Sequence, residues 1–256
     1  LDTLGINVWC AAGKGTFSTE EINYRVKSTG LETLVRHRRL ILPQLGATGV
    51  AAHEVKKGSG FEVVWGPIRS ADIKSFLLAG MKADSHMRHV TFSFRERLVL
   101  IPVEATLFFK HLVWLCLAAF FLSGISGDIF SIQNAWSRGL ALIAACIGGV
   151  FAGAVAAPIL LPWLPARPFA VKGALTGACT GVAVVWMLPQ AFGGWEILAL
   201  ILCTTVLSSF LAMNFTGATP FTSPSGVEKE MRRAIPLQAA AVLAVVGIWI
   251  GAAFAG

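Results

Sequence analysis

One cysteine of this chain is placed to do chemistry outside an apolar run: Cys10, in Asn7-Val8-Trp9-Cys10-Ala11-Ala12-Gly13-Lys14. Cys116, Cys146, Cys179 and Cys203 each lie within long hydrophobic stretches, where a free thiol is ordinarily a small packing group. Cys10 instead follows Ile6-Asn7-Val8-Trp9, read as a strand, and precedes small residues ending in Gly13-Lys14-Gly15. A cysteine on such a strand-to-helix turn, beside a lysine, can act as a thiolate and therefore as a soft-metal ligand or nucleophile. Taken alone it can equally be a buried, inert thiol. Trp9 reads as a core aromatic or as the wall of a ligand site, and Asn7 as a turn-former.

Other chemistries fail on spacing. Gly13-Lys14-Gly15-Thr16 has the tail of a phosphate-binding P-loop, but Val8 stands where that motif needs glycine and Gly15 where it needs Ser or Thr. His53-Glu54 begins a zinc-protease helix, yet Lys57 occupies the second histidine position. Asp84-x-His86-x-x-His89 has a zinc-compatible spacing and reads more simply as a surface loop. His89 also replaces the glycine required by modules that ligate cobalamin through histidine. The sequence contains no Cys-x-x-Cys pair, so the chain cannot supply an iron–sulfur cluster of its own.

These residues sit in a chain of two characters. Of 256 residues 55% are hydrophobic, yet all five histidines, 15 of 21 Lys/Arg and 10 of 14 Asp/Glu precede Leu112. This predicts a soluble α/β domain over residues 1–97 and a membrane domain over 98–256. The net charge of +7 does not indicate nucleic acid, because the basic residues are interleaved with acids. Arg36-His37-Arg38-Arg39 and Lys56-Lys57 read as solvated faces or as contacts for a partner or anionic cofactor. The start in Leu1-Asp2-Thr3 resembles the end of a strand, an expectation that elements of the first domain precede it.

In the first domain Ser18-Thr19-Glu20-Glu21 forms a capping box for a helix to about Lys27. Leu40-Ile41-Leu42-Pro43 predicts a strand, 48–57 a helix, and Phe61 to Trp65 a second strand. A helix follows Ser70-Ala71-Asp72, and Val90 to Phe94 reads as a strand. Strands and helices alternating over short connections predict a doubly wound, Rossmann-like parallel sheet.

Five apolar stretches follow, roughly 105–125, 139–161, 173–192, 196–216 and 236–255, each near the ~20 residues of a membrane-spanning helix. Arg167, Lys172, Lys229, Arg232 and Arg233 fall in connections on the side of the N-terminal domain, and Arg138 alone on the other. The positive-inside rule then places the N-terminal domain in the cytoplasm and the C-terminus outside. Gly149/Gly153, Gly173/Gly177/Gly181 and Gly247/Gly251 give three helices small faces, read chiefly as packing within one bundle. With no ionisable residue deep in a span, an anchor is favoured over a transporter.

The segment from Asn7 to Phe17 resembles the cap-helix motif of the HgcA family, the membrane-bound corrinoid proteins of microbial mercury methylation. Arg38-Arg39-Leu40-Ile41-Leu42-Pro43-Gln44-Leu45-Gly46, Gly49-Val50-Ala51-Ala52-His53 and the order of a soluble domain followed by five spans are also similar to it. The resemblance implies a corrinoid-binding Rossmann-like domain, N-terminally incomplete here, and a cobalamin-type cofactor held by Asn7, Val8, Trp9, Cys10, Ala11, Ala12, Gly13 and Lys14. It implies that the Cys10 thiolate is the lower axial ligand of cobalt and that methylcobalt(III) passes its methyl group to Hg(II). It further implies a methyl donor linked to methyltetrahydrofolate and a ferredoxin-type iron–sulfur partner (HgcB) as electron donor. Another methyl acceptor, or a non-catalytic membrane ligand-binding protein, remain the alternatives that the residues allow.

Overall fold

The structure is a computed structural model and describes residues 1–3, 7–91, 93–127, 129–189, 191–215 and 224–254, without the side chains of 99, 100, 103–107, 109, 224 and 225. The chain divides into two compact units, Leu1–Thr91 and Phe92–Gly256.

In the first unit α1 (Val8–Gly13), α2 (Thr19–Ser28) and α3 (Leu31–Leu34) lead to β1 (Arg39–Leu42), α4 (Ala52–Ser59), β2 (Glu62–Trp65) and α5 (Ile73–Leu78). The strands are parallel, with Arg39 opposite Glu62 and Leu42 opposite Trp65, and α4 provides the crossover that parallel pairing requires. The Ser18 hydroxyl accepts the Glu21 amide at 3.3 Å and starts α2 as the sequence predicts. The buried Thr19 hydroxyl accepts the Ala51 amide at 2.9 Å, joining the starts of α2 and α4. Phe17, Ile22, Val26, Val55 and Phe61 close the core between them.

Three expectations are corrected here. Among the described residues this unit has two strands, so the sheet is one parallel β-α-β unit; a doubly wound Rossmann sheet is not formed by them. Ile6 lies outside the described residues, and Val8 and Trp9, expected in a strand, already belong to α1. A side-chain cap and the helix-favouring Ala11-Ala12 outweigh the β preference of Val8 and Trp9. Val90 and Thr91 form no strand, because Ser93 and Glu96 build a reciprocal capping box that opens α6 at Phe94.

The second unit contains α6 (Phe94–Ser123), a short hairpin of β3 (Ile125–Ser126) and β4 (Ile129–Phe130), and α7 (Ile132–Phe151). One π-helical turn (Ala152–Ala156) joins α7 to α8 (Ala157–Leu160); α9 (Phe169–Met187), α10 (Gly194–Asn214) and α11 (Pro224–Ala252) follow. The π turn has a local cause. Pro158 has no N–H to donate and its ring crowds the carbonyl four residues back, so the preceding hydrogen bonds widen.

Among the described residues four helices are long and apolar enough to cross a bilayer: Ile132–Leu160, Phe169–Met187, Gly194–Asn214 and Gly226–Ala252. This makes the chain a membrane protein by composition, with four such helices among the described residues where five spans are expected. Helix α6 runs unbroken over Phe94–Ser123, and its described apolar part is Lys110–Ser123. Lys110 and His111 lie within the first expected span, and Arg138, Lys172 and Glu196 within three of the other helices, so the spans are not free of ionisable residues.

Helix α10 is the centre of this unit. A Cβ on Gly149, Gly153, Gly173, Gly177 or Gly181 would lie within about 3 Å of α10 atoms, from Thr204 to Ser208 and Ala212 among others. The small faces of α7 and α9 are therefore what let α10 lie between them at backbone contact. Gly247 and Gly251 on α11 meet nothing within 4 Å.

Candidate functional site

The Cys10 segment is a two-turn helix with distinct sides. The Asn7 side-chain oxygen accepts the Cys10 amide at 2.8 Å, capping α1, and the Cys10 carbonyl accepts the Lys14 amide at 3.0 Å. Ala11 is fully buried and Ala12 nearly so, and Val8 packs against the same core. At 100° per residue Val8, Ala11 and Ala12 share the inward side, which turns Cys10 and Gly13 to the opposite side. Cys10 is half-buried, Trp9 is half-buried beside it, and Gly13 and Lys14 are exposed.

The inward side is held closely. The Ala11 carbonyl accepts the Phe17 amide at 3.1 Å, and the Thr16 hydroxyl donates to it at 3.2 Å. Gly49 lies under this turn; a Cβ there would stand 2.5 Å from the Phe17 carbonyl oxygen and 2.8 Å from that of Ala12. Arg88 donates to the Gln44 side chain at 2.6 Å, fastening the end of the unit to the turn after β1. The arrangement presents one soft sulfur, partly exposed, on a short helix fixed from behind.

The candidates dismissed on spacing are engaged locally. The Asp84 carboxylate accepts the Met87 amide at 3.0 Å, and His89 Nδ1 lies 2.5 Å from the Ser85 carbonyl oxygen, so both serve an exposed turn. Among the described residues no group of three or more His, Cys, Asp or Glu side chains is disposed to hold a metal.

No protein-family model, curated protein or solved structure matches this chain. What the site can do is therefore argued from its own geometry. The donor chemistry fits a corrinoid in one respect: a single partly exposed thiol on a fixed helix could supply one ligand to a soft metal. Asn7, Val8, Ala11 and Ala12 hold the helix, while Trp9, Gly13 and Lys14 flank the sulfur.

The second unit holds polar constellations that sequence reasoning missed. Arg138, expected in a loop, lies within α7 and is buried. Its Nε donates to Glu196 Oε1 at 2.8 Å and another guanidinium nitrogen donates to the Trp249 carbonyl at 2.5 Å. The guanidinium stands 4.6 Å from the centre of the Trp249 ring, and Trp249 Nε1 donates to the Ser123 hydroxyl at 2.9 Å. Four helices, α6, α7, α10 and α11, meet at this cluster. Cys146 and Cys203 face one another at 3.9 Å between α7 and α10, whereas Cys179 is exposed on α9.

Near the starts of α9 and α11 a cavity of about 590 Å³ opens between them. Both helices pack on α10 and leave a groove whose floor includes Ser209. Arg167, Lys229 and Arg233 line its mouth. The sequence signal was present in these basic residues, but they were read only as markers of membrane sidedness.

Proposed function

We propose that this chain is a membrane-anchored, corrinoid-dependent methyltransferase that delivers a methyl group to Hg(II), with Cys10 as the lower axial ligand of cobalt. The observation that carries the reading is the division of α1: Val8, Ala11 and Ala12 are turned into the core, and Cys10 is turned away from it. When bound, a corrinoid supplies the cobalt that carries the methyl group and releases it with its electron pair to a soft electrophile. Cys10 would hold the cobalt as a thiolate, a strongly donating ligand that would assist that release. Asn7 fixes the first turn of α1, and with it the position of Cys10. Gly13 removes side-chain bulk next to the sulfur, so a flat ligand can approach the helix closely. Trp9 and Lys14 are the residues available to contact the ring and its carboxamides. Methyl groups would come from a donor linked to methyltetrahydrofolate, and electrons from a ferredoxin-type iron–sulfur protein such as HgcB.

The membrane-length helices anchor this chemistry to a bilayer. In the same reading α6 is the first of five crossings, the first unit is cytoplasmic and the C-terminus outside, because that arrangement puts Arg167, Lys172, Lys229, Arg232 and Arg233 on the side of the first unit.

The test uses the complete membrane protein loaded with cobalamin. Replacing Cys10 by alanine is expected to shift the visible cobalt spectrum and to lower methylmercury formation by about 100-fold, the upper range for loss of a metal-supporting group. Unchanged methylation by that variant would remove the thiolate-ligand mechanism. Preferential turnover of another thiophilic acceptor would remove Hg(II) as the assigned substrate. Labelling of Cys10 by an impermeant thiol reagent in inverted but not right-side-out vesicles checks the sidedness.

A further inference from the structure

The cavity between α9 and α11 has the chemistry of an amphiphile site. At its mouth stand three cations, Arg167, Lys229 and Arg233, all exposed. Among the described residues none of the three is in ion-pair contact with a carboxylate. Among the described residues the acid lining the cavity is Glu230, and it is engaged otherwise: its Oε1 accepts the Ala170 amide at 2.6 Å, capping the first turn of α9. A positive surplus therefore remains at the mouth. The 19-residue α9 adds the positive end of its dipole at the same place.

Deeper in, the character changes in two steps. Gln238 is nine-tenths buried and lines the cavity; its amide nitrogen donates to the Ser209 hydroxyl at 2.9 Å, while its amide oxygen is buried with no partner among the described residues. Whichever way that amide is turned, one of its polar atoms is left for a ligand. The apolar walls include Val171, Ala174 and Leu237, and Leu237 is 71% exposed along the side of a membrane-length helix. An occupant that satisfies all three zones has an anionic end, a polar middle with a hydrogen-bonding group, and an apolar tail.

We propose that this cavity is a binding site for an anionic glycerophospholipid. Its phosphate lies among Arg167, Lys229 and Arg233, its glycerol region reaches Gln238 and its acyl chain runs along Val171, Ala174 and Leu237. Basic pockets between membrane helices are suited to such headgroups, because cations near the surface are only partly screened and the tail is buried in the same event. A soluble phosphate ester shares the headgroup chemistry but leaves the apolar walls uncovered. The inference rests on the membrane-length helices and is independent of the corrinoid reading.

The experiment is native mass spectrometry of the full chain in neutral detergent, with phosphatidylglycerol and phosphatidylcholine of the same acyl chains in competition. Phosphatidylglycerol is expected to be retained about tenfold better or more. The variant R167Q/K229Q/R233Q, checked for an unchanged helical signal, is expected to bring the two lipids to parity, and Arg233→Gln alone to lie between. A wild-type protein that holds both lipids equally, or a triple variant that keeps the preference, would overturn the proposal. Displacement of phosphatidylglycerol by glycerol 3-phosphate at equal concentration would also overturn it, assigning the mouth to free phosphate esters.

Discussion

The position of Cys10 depends on a neighbour whose role can be measured separately. Asn7 caps α1 through the Cys10 amide, and a side-chain cap of this kind contributes about 1 kcal/mol. Asn7→Ala is therefore expected to speed hydrogen exchange at the Cys10 amide about fivefold, while Asn7→Asp, which keeps an acceptor, leaves it near the original rate. An unchanged rate in the alanine variant would show that α1 is held by its packing alone. At this scale the sequence was partly legible. Cys10 stands out because no other cysteine lies outside an apolar run, but Asn7, within an expected strand, reads as a partner of a turn or of the cofactor. Its capping role depends on a backbone direction that a single residue type does not specify.

Elements show where local signals compete. The Ser18–Glu21 start of α2, β1 before Pro43 and β2 before Gly66-Pro67 were all readable, because caps, prolines and glycines act on their immediate neighbours. The start of α6 was missed although Ser93-x-x-Glu96 announced it; the apolar β-prone Val90 and Phe92 were given more weight. The closeness of α1 to Gly49 was not readable, since it joins segments distant in the chain. It can be tested directly. Gly49→Ala would force a methyl group against two backbone carbonyls, a clash expected to cost about 1–3 kcal/mol. We expect earlier thermal unfolding and greater Cys10 reactivity towards a thiol reagent. If both stay as in the parent protein, α1 does not depend on that contact.

At the scale of the whole chain, charge is distributed so that each end of the helical unit has its own chemistry. The ends of α9 and α11 that begin these helices carry exposed cations around an open groove, whereas Arg138 at the other end of α11 is enclosed with Glu196, Trp249 and Ser123. Removing one partner of such a buried pair leaves a charge without compensation and costs roughly 3–5 kcal/mol. Arg138→Gln and Glu196→Gln should each lower the thermal unfolding temperature in detergent markedly. The double variant Arg138→Met/Glu196→Leu should recover most of the loss. Losses that simply add in the double variant would show that the pair is not an energetic unit.

By itself the sequence determined the division between a charged first part and an apolar second part, the single cysteine outside the apolar runs and most of the membrane-length segments. Each is a property of composition or of residues near one another in the chain, where hydropathy and capping act. Only the tertiary structure decided which side of α1 carries Cys10, that β1 and β2 form one parallel pair, and that Arg138 belongs inside the bundle rather than in a loop. It also decided that three cations and Gln238 surround one groove. These are contacts between distant residues, such as Arg138 with Trp249 and Gly49 with Ala12. Their energies arise from burial and approach in space, which the order of residues along a single chain does not display.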